Sequence, residues 1–252
     1  MPSPDKPNQP EQQAPPVQRL RIRYAKRGRL RFTSHRDFSR AFERAIFRAR
    51  IPMAYSSGFN PHPRISYAGA APTGSASEAE YLEIGLAELL DPARAHADID
   101  EALPEGLDVI EVVTSAGGSI SDRLEASVWQ LSLADTDAET ARRAAEALLA
   151  TEEVQVERMT KKGLRRFDAR AAIVSVRVLE ATAQRPTCAI LEVVLRHGSP
   201  SVRPDDVLAA LHQSSGLSLT AALQQRMAQG PLDPEGGTVG DPLTPDRDAA
   251  GQ

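Results

Sequence analysis

The sequence predicts an α+β fold of two consecutive units, each with the element order β-α-β-β-α-β. Runs of alternating apolar and polar residues, typical of half-buried strands, flank segments whose apolar residues recur at helical spacing. This succession occurs twice, and residues 116–122 separate the two occurrences. The order is typical of the ferredoxin-like sandwich, in which two helices cover one face of a four-stranded antiparallel sheet. We therefore expect two tandem ferredoxin-like units with antiparallel sheets.

Length and composition suggest the domain boundaries. A chain of 252 residues with 41% hydrophobic content can build two small domains. We place the first domain at residues 18–115, a linker at 116–122 and the second domain at 123–228. Residues 1–17 are polar and proline-rich, and residues 229–252 are rich in glycine, proline and aspartate, so both are expected to be disordered tails.

The first unit begins with a strand at residues 19–25, where arginines alternate with apolar residues. Ser34, followed three residues later by Asp37, has the form of a capping box and predicts a helix that begins near His35. The later elements of this unit are strands at 64–71, 79–86 and 107–114 and a helix through about residue 102 with Pro92 in its first turn.

The predicted first helix has two different faces. One stripe is apolar and is expected to face the core: Phe38, Phe42, Ala45, Ile46 and Ala49. The opposite half carries arginines at intervals of four residues: Arg36, Arg40, Arg44 and Arg48. Because like charges at this spacing repel each other, this face is either simply solvated or suited to an anion. Phe47 falls among the arginines, where it is expected to contact another part of the protein or a base.

A proline-rich loop, GFNPHPR at residues 58–64, follows this helix. Asn60 and His62 each precede a proline, which favours extended backbone, and Gly58 can supply the positive φ that a turn needs. The loop is expected to be stiff and to present Phe59, Asn60, His62 and Arg64. It is either a recognition element or a connection with an exposed histidine.

The second unit is predicted to contain strands at 124–133, 154–159, 171–180 and 188–195 and helices at 137–150 and 204–213. Residues 217–227 are predicted to form a final strand or a terminal helix. This is one hairpin more than a β-α-β-β-α-β unit requires. The basic segment KKGLRR at 161–166 is expected to lie at a turn.

Positive charge is concentrated in two segments of a chain whose net charge is -4. Residues 17–64 contain thirteen basic residues against two carboxylates, and residues 158–170 contain six against one. This segregation favours a surface that faces a polyanion. Charge complementarity between the two domains is the alternative, and it would hide the basic surface from any ligand.

Motifs of nucleotide-binding loops, zinc metalloproteases and serine hydrolases are absent from the sequence. One cysteine cannot form an internal disulfide or hold an iron–sulfur cluster, and the five histidines lack i, i+4 pairing. We therefore expect neither a cofactor nor a bound metal. No apolar run is long enough to span a membrane and the N-terminus lacks a signal-peptide core, so a cytoplasmic location without a membrane partner is expected.

His35 and His62 are the candidate catalytic residues. With the arginines they could form a metal-independent ribonuclease site, in which one imidazole takes the 2′-hydroxyl proton and guanidinium groups stabilise the phosphorane. Such a site requires the two imidazoles to converge in the fold.

Three motifs in this part of the chain are distinctive: SHRD at residues 34–37, GFNPHPR at 58–64 and SEAEY at 77–81. With them, residues 18–228 resemble the radical SAM-linked protein family of uncharacterised function, in its free-standing form without the radical SAM domain. The resemblance implies a soluble cytoplasmic protein associated with RNA processing or with radical SAM proteins. The chain has no CxxxCxxC motif, so radical chemistry cannot be its own.

These observations favour an RNA-binding or RNA-processing accessory module over an enzyme. One alternative is an interaction subunit that docks on an acidic partner, such as a ribonuclease or a radical SAM enzyme, and another is the ribonuclease with His35 and His62. A further alternative is a small-molecule enzyme that uses the loop at residues 58–64 as a phosphate clamp. The candidate RNA-binding residues are Arg29, Arg31, Arg36, Arg40, Arg44, Arg48, Phe59, Asn60, His62, Arg64, Lys161, Lys162, Arg165 and Arg166.

Overall fold

The structure, a computed structural model, describes residues 12–160, 163–179 and 188–251. In these ranges the strands are β1 (Gln18–Lys26), β2 (Ile65–Ala68), β3 (Ala76–Leu86), β4 (Val109–Thr114), β5 (Ala126–Leu133), β6 (Gln155–Thr160), β7 (Gly163–Asp168), β8 (Ile173–Leu179), β9 (Ile190–Arg196) and β10 (Ala221–Gly230). The α-helices are α1 (His35–Arg48), α2 (Pro92–Ala102), α3 (Ala138–Ala150), α4 (Pro204–Ser215) and α5 (Thr244–Ala250). The fold belongs to the expected α+β class.

The first half of the chain contributes four neighbouring strands in the order β4-β1-β3-β2. All three pairings are antiparallel: Leu20 of β1 lies opposite Ile84 of β3 and Thr114 of β4, and Ile65 of β2 also lies opposite Ile84. Apolar residues at alternate positions of β1 and β3 share one core with α1 and α2. Because the pleat turns alternate side chains to one face, both helices cover the same side of the sheet.

The second half contributes strands in the order β10-β5-β9-β8. Trp129, Leu131 and Leu133 alternate along β5 and form a second core with residues of α3 and α4, including Leu148 and Val207. β6 and β7 form a separate hairpin between α3 and β8. Residues 163–166 of the basic segment therefore lie in β7 of this hairpin, and residues 161–162 lie outside the described residues.

The two halves share one sheet, whereas the sequence predicts a sheet for each unit. β3 and β10 pair in parallel, with Ala76 opposite Gln225 and Ser77 opposite Arg226. β2 covers only residues 81–84 of β3, so the first residues of β3 leave an edge that β10 fills. The result is a single, mostly antiparallel main sheet. The assignment of each half to the ferredoxin-like fold stays a prediction.

The predicted disorder of residues 229–252 is wrong for residues 229–251. Residues 229–230 end β10, and Thr244–Ala250 forms α5. Asp246 of α5 is fully buried and forms salt bridges with Arg21 of β1 and with Arg123. The glycine- and proline-rich composition suggested disorder because no local signal reveals a partner 225 residues away.

The tail predicted at residues 1–17 is only partly covered by the structure. Residues 1–11 lie outside the described residues, and residues 12–17 form neither helix nor strand. The Val17 amide donates a hydrogen bond to the Leu86 carbonyl at 2.9 Å, which extends the pairing of β1 with β3. In the described part of the chain, no helix has the length and apolarity needed to cross a bilayer.

His197 makes stability depend on pH. Its ring nitrogens contact the Leu124 carbonyl at 2.7 Å and the Ser127 hydroxyl at 3.0 Å. Burial lowers the pKa of His197 below its usual value of 6.5. The unfolded chain therefore binds more protons just below pH 6.5, and stability falls as the pH drops toward the folded-state pKa. We expect the free energy of unfolding to decrease between pH 7.5 and 5.5, by at most about 1.4 kcal/mol per pH unit from this group.

Urea denaturation at several pH values checks this expectation. His197→Gln keeps an amide near the same partners but removes the titration, so its stability should change less across this range. An equal pH dependence in both proteins would contradict the assignment.

Candidate nucleic-acid interface

Helix α1 begins at His35, as the sequence predicts. The Ser34 hydroxyl oxygen accepts a hydrogen bond from the Asp37 amide at 3.2 Å. The Asp37 carboxylate accepts one from the Ser34 hydroxyl at 2.6 Å and does not reach back to the Ser34 amide. The cap fixes the start of the helix, and with it the direction of every side chain that follows.

The inner face of α1 is the predicted apolar stripe. Phe38, Phe42, Ala45 and Ile46 are buried against the first core. The Phe38 ring stacks on Tyr24 of β1 with ring centroids 4.4 Å apart. This packing fixes the rotation of α1 about its axis, so the opposite face of the helix is directed to solvent.

The outer face of α1 presents cations and one exposed aromatic ring. Its four arginines are all exposed: Arg36, Arg40, Arg44 and Arg48. Phe47 lies among them and is 84% exposed, so the predicted contact with another part of the protein is not made within the described chain. Among the described residues, no salt bridge involves any of these four arginines. Glu43 is an exposed carboxylate on the same face, so the face carries a net positive charge that is only partly offset.

Three arginines on and just after β1, Arg19, Arg21 and Arg27, behave differently, because carboxylates neutralise them, whereas Arg23 donates to the Glu78 carbonyl oxygen. Arg19 pairs with Glu83 at 3.1 Å, and Arg21 is fully buried with Asp246 at 2.7 Å. Arg27 pairs with both Glu78 and Asp108. Hydrogen bonding to Glu78 is the main cause that raises the pKa of Arg27 above its usual value. The basic segment at residues 17–64 is thus divided between internal ion pairs and a free face on α1.

Two further predicted residues lie in a short 3₁₀ turn at Gly28–Phe32. Arg29 is exposed, and Arg31 is partly buried. The Arg31 guanidinium lies 4.5 Å from the centre of the Phe32 ring, and its Nη1 donates to the Gly28 carbonyl at 3.0 Å. Phe32 is 59% exposed, so this turn adds a second cation beside an accessible aromatic ring.

The GFNPHPR loop is held as a narrow hairpin. Tyr55 pairs with Pro63, and the Ser56 amide donates to the His62 carbonyl at 2.8 Å. Arg64 Nε donates to the Tyr55 carbonyl at 3.1 Å. These bonds close the base of the loop and leave Phe59 at its tip, 80% exposed. Asn60 and His62 are also exposed.

The second basic segment lies in the other half of the protein. Lys161 and Lys162 lie outside the described residues, and Arg165 and Arg166 are exposed on β7. Arg158 of β6 pairs with Asp206 at 2.6 Å. Within the described ranges, no hydrogen bond or salt bridge joins this hairpin to α1. A single polyanion-facing surface formed by both basic segments stays a prediction.

The two candidate catalytic histidines lie in different surroundings. The His35 ring packs edge-on against Tyr67, with centroids 4.8 Å apart. His62 lies on the loop and lines a cavity with Arg19, Arg64 and Glu83. In the described chain, no hydrogen bond or ring contact brings the two imidazoles together. No group of three or more His, Cys, Asp or Glu in this part of the chain could hold a metal ion.

Comparison with protein families identifies the family of this chain. A model for a family described as "Uncharacterized protein conserved in bacteria (DUF2344)" matches residues 19–204. The chain belongs to this family. The DUF2344 match runs from β1 to the first residue of α4 and includes α1 and the GFNPHPR loop. Its description gives no radical SAM link, so that part of the resemblance stays a prediction. No curated protein matches the chain.

Sequence reasoning missed the cavity between the GFNPHPR loop and the sheet. Its walls include Arg19, Ser56, Ser66 and Glu83 in addition to loop residues. Ser56 and Ser66 belong to no motif, and Glu83 is one carboxylate in an alternating strand. Only strand register, which places Ser66 opposite Glu83, brings these residues together.

Proposed function

We propose that this DUF2344 protein is a cytoplasmic RNA-binding accessory module whose contact surface is the outer face of α1 with the adjoining GFNPHPR loop. The observation that carries the proposal is the unpaired arginine face with Phe47 exposed in its middle. Carboxylates neutralise Arg19, Arg21 and Arg27 of the same basic segment, so the arginine face of α1 differs from the surface beside β1.

The chemistry of this face matches that of a single-stranded nucleic acid. Guanidinium groups form bidentate bonds with phosphate oxygens. Exposed aromatic rings stack on bases without requiring a sequence. Phe47 supplies one such ring among the arginines of α1, and Phe59 at the loop tip supplies a second exposed ring. The surface therefore supports binding of a flexible strand through its backbone and its bases.

Salt dependence tests the proposal. Arg40→Gln with Arg44→Gln removes two exposed cations from α1 and should weaken binding of a single-stranded oligoribonucleotide. Because each phosphate contact contributes about −0.7 to the log–log slope of affinity against salt, the slope should become shallower by about 1.4. Fluorescence anisotropy titrations at salt concentrations from about 50 to about 300 mM measure this slope.

The matched control is Arg142→Gln with Arg143→Gln, which removes two exposed cations from α3. This pair makes the same change in net charge in the other half of the protein. Equal losses for both pairs would indicate non-specific charge attraction and would contradict an interface on α1. Binding that does not depend on salt would also contradict it.

A protein-docking role is the second candidate, and exposed apolar side chains favour it. Leu89 is 80% exposed and lines a cleft of about 980 Å³ between α1 and α2. Arg48, next to Phe47, lines the same cleft. An acidic partner with apolar anchors, such as a ribonuclease or a radical SAM enzyme, would suit this surface. Capture of one partner that survives nuclease treatment and is lost on Leu89→Ser would favour this role over RNA binding.

The expected pair of ferredoxin-like units has more support than the expected ribonuclease site. The strand orders β4-β1-β3-β2 and β10-β5-β9-β8 are the same arrangement repeated, which supports two ferredoxin-like units that share a sheet. The ribonuclease hypothesis lacks a shared site for His35 and His62. RNA cleavage that disappears in His35→Ala would restore it.

A further inference from the structure

A cavity of about 300 Å³ lies between the GFNPHPR loop, the start of β1 and the edge formed by β2 and β3. Its floor includes Gly85, where a Cβ atom would lie 3.3 Å from the Cβ of Arg64 and 3.1 Å from Pro16. The missing side chain lets the loop approach the sheet closely. The polar side chains that line the cavity are Arg19, Ser56, His62, Arg64, Ser66 and Glu83.

Hydrogen-bond donors dominate this lining. Arg64 uses only its Nε in a bond to the Tyr55 carbonyl, so both of its Nη groups have no bond to the described residues. Arg19 uses Nη1 with Glu83 and keeps its other donors. The Ser66 hydroxyl and the His62 ring form no hydrogen bond within the described chain, and the Ser56 hydroxyl oxygen accepts from the His62 amide.

Glu83 is the carboxylate of the cavity, and other groups already satisfy it. It accepts hydrogen bonds from Arg19 at 3.1 Å, from Arg21 Nε at 3.0 Å and from the Ser115 hydroxyl at 3.1 Å. The connected network contains Arg19, Arg21 and Arg123 against Glu83 and Asp246, so it carries an excess positive charge before Arg64 is added. The cavity as a whole therefore favours an anion.

We propose that this cavity binds a phosphomonoester group. Two guanidinium groups, two hydroxyls and an imidazole are the donors that a terminal phosphate requires, because its oxygens accept several charge-assisted bonds at once. A volume of about 300 Å³ is at the lower end for ligand sites. It admits a phosphate with part of a nucleoside, and it is too small for a folded segment of RNA.

The phosphate can come from the end of an RNA strand or from a free mononucleotide. The first source rests on the proposed function, because the loop that forms the cavity also carries Phe59 of the RNA surface. In that case the cavity selects strands by their phosphorylated end, while α1 holds the rest of the strand. The second source requires no RNA binding.

Matched oligoribonucleotides test the proposal with the full chain. We expect a decamer with a phosphate at one end to bind about tenfold more tightly than the same decamer with a hydroxyl there, as loss of one charge-assisted contact implies. Decamers phosphorylated at the 5′ end and at the 3′ end are both titrated. In Arg64→Gln the ratio of affinities for the phosphorylated and the unphosphorylated decamer should fall to near one, and in Ser66→Ala it should fall severalfold. Arg142→Gln should leave it unchanged.

The outcomes separate this proposal from RNA binding by α1. If strands with and without a terminal phosphate bind equally, and Arg40→Gln with Arg44→Gln weakens both, the cavity proposal is overturned while RNA binding stands. If adenosine monophosphate binds in a manner that Arg64→Gln abolishes but no oligoribonucleotide binds, the cavity proposal stands without RNA. Thermal unfolding shows which variants are folded, and Ser66→Ala carries the test if Arg64→Gln is not.

Discussion

Replacing Asp246 by alanine is expected to lower the free energy of unfolding by about 3–5 kcal/mol, because it removes the buried carboxylate that pairs with Arg21 and Arg123. Asp246 and Arg21 are both fully buried and joined by two hydrogen bonds of 2.7 and 2.8 Å. Arg123 and the Ala116 amide also bond to the Asp246 carboxylate. With alanine at position 246, Arg21 would retain Glu83 and the carbonyls of the linker but lose its bidentate partner.

Urea denaturation followed by circular dichroism measures this loss. Asp248→Ala is the matched control, since Asp248 is an exposed carboxylate in the same helix. Its effect should stay within about 0.5 kcal/mol, as for most surface substitutions. Similarly small losses of unfolding free energy in the two variants would show that α5 contributes little to stability. Rapid proteolysis of α5 in Asp246→Ala with an unchanged unfolding midpoint would show that the helix detaches locally instead.

Helix α1 shows how far local sequence information reaches. A cap at Ser34, an apolar stripe and an arginine face are all signals within one helix, and the structure confirms them. Spacing along a helix fixes which side chains share a face, whatever the rest of the chain does. The same wheel placed Phe47 among the arginines, but its expected contact with another part of the protein is not made within the described chain. For this reason the proposed RNA surface could be located before the fold was known.

Long-range partners could not be predicted in the same way. Counting charges gave β1 and α1 equal weight as basic elements, although Arg21 is buried against an aspartate from the last helix. Nothing in the composition around Asp246 marks it as a core residue. The shared sheet depends likewise on contact between the start of β3 and the middle of β10, and neither strand reveals its neighbour in its own pattern. The cavity below the GFNPHPR loop was missed for the same reason.

The junction of the two halves contains a second buried ion pair, between Glu80 of β3 and Arg226 of β10. Their side chains are 3% and 4% exposed. Arg226 also bonds to Ser77 and Gln229, and Glu80 accepts from the Ala71 amide. Since the pair crosses the point where β3 meets β10, it joins the two cores by charge as well as by strand pairing.

Glu80→Met is expected to cost about 3–5 kcal/mol of unfolding free energy, because it leaves Arg226 buried without a carboxylate. Lys26 lies buried in the same cluster, where burial lowers its pKa and Glu80 raises it. Losing Glu80 thus affects two cations. Arg226→Met should cost less, because Glu80 keeps Lys26 beside it.

A double-mutant cycle separates the ion pair from simple packing. The double variant Glu80→Met with Arg226→Met should be more stable than Glu80→Met alone, because apolar side chains of similar volume replace both charges. Chemical denaturation of the four proteins supplies the coupling energy. Additive losses would mean that the two side chains contribute independently, and the halves would then be held together by the β3–β10 pairing and by packing, without a contribution from charge.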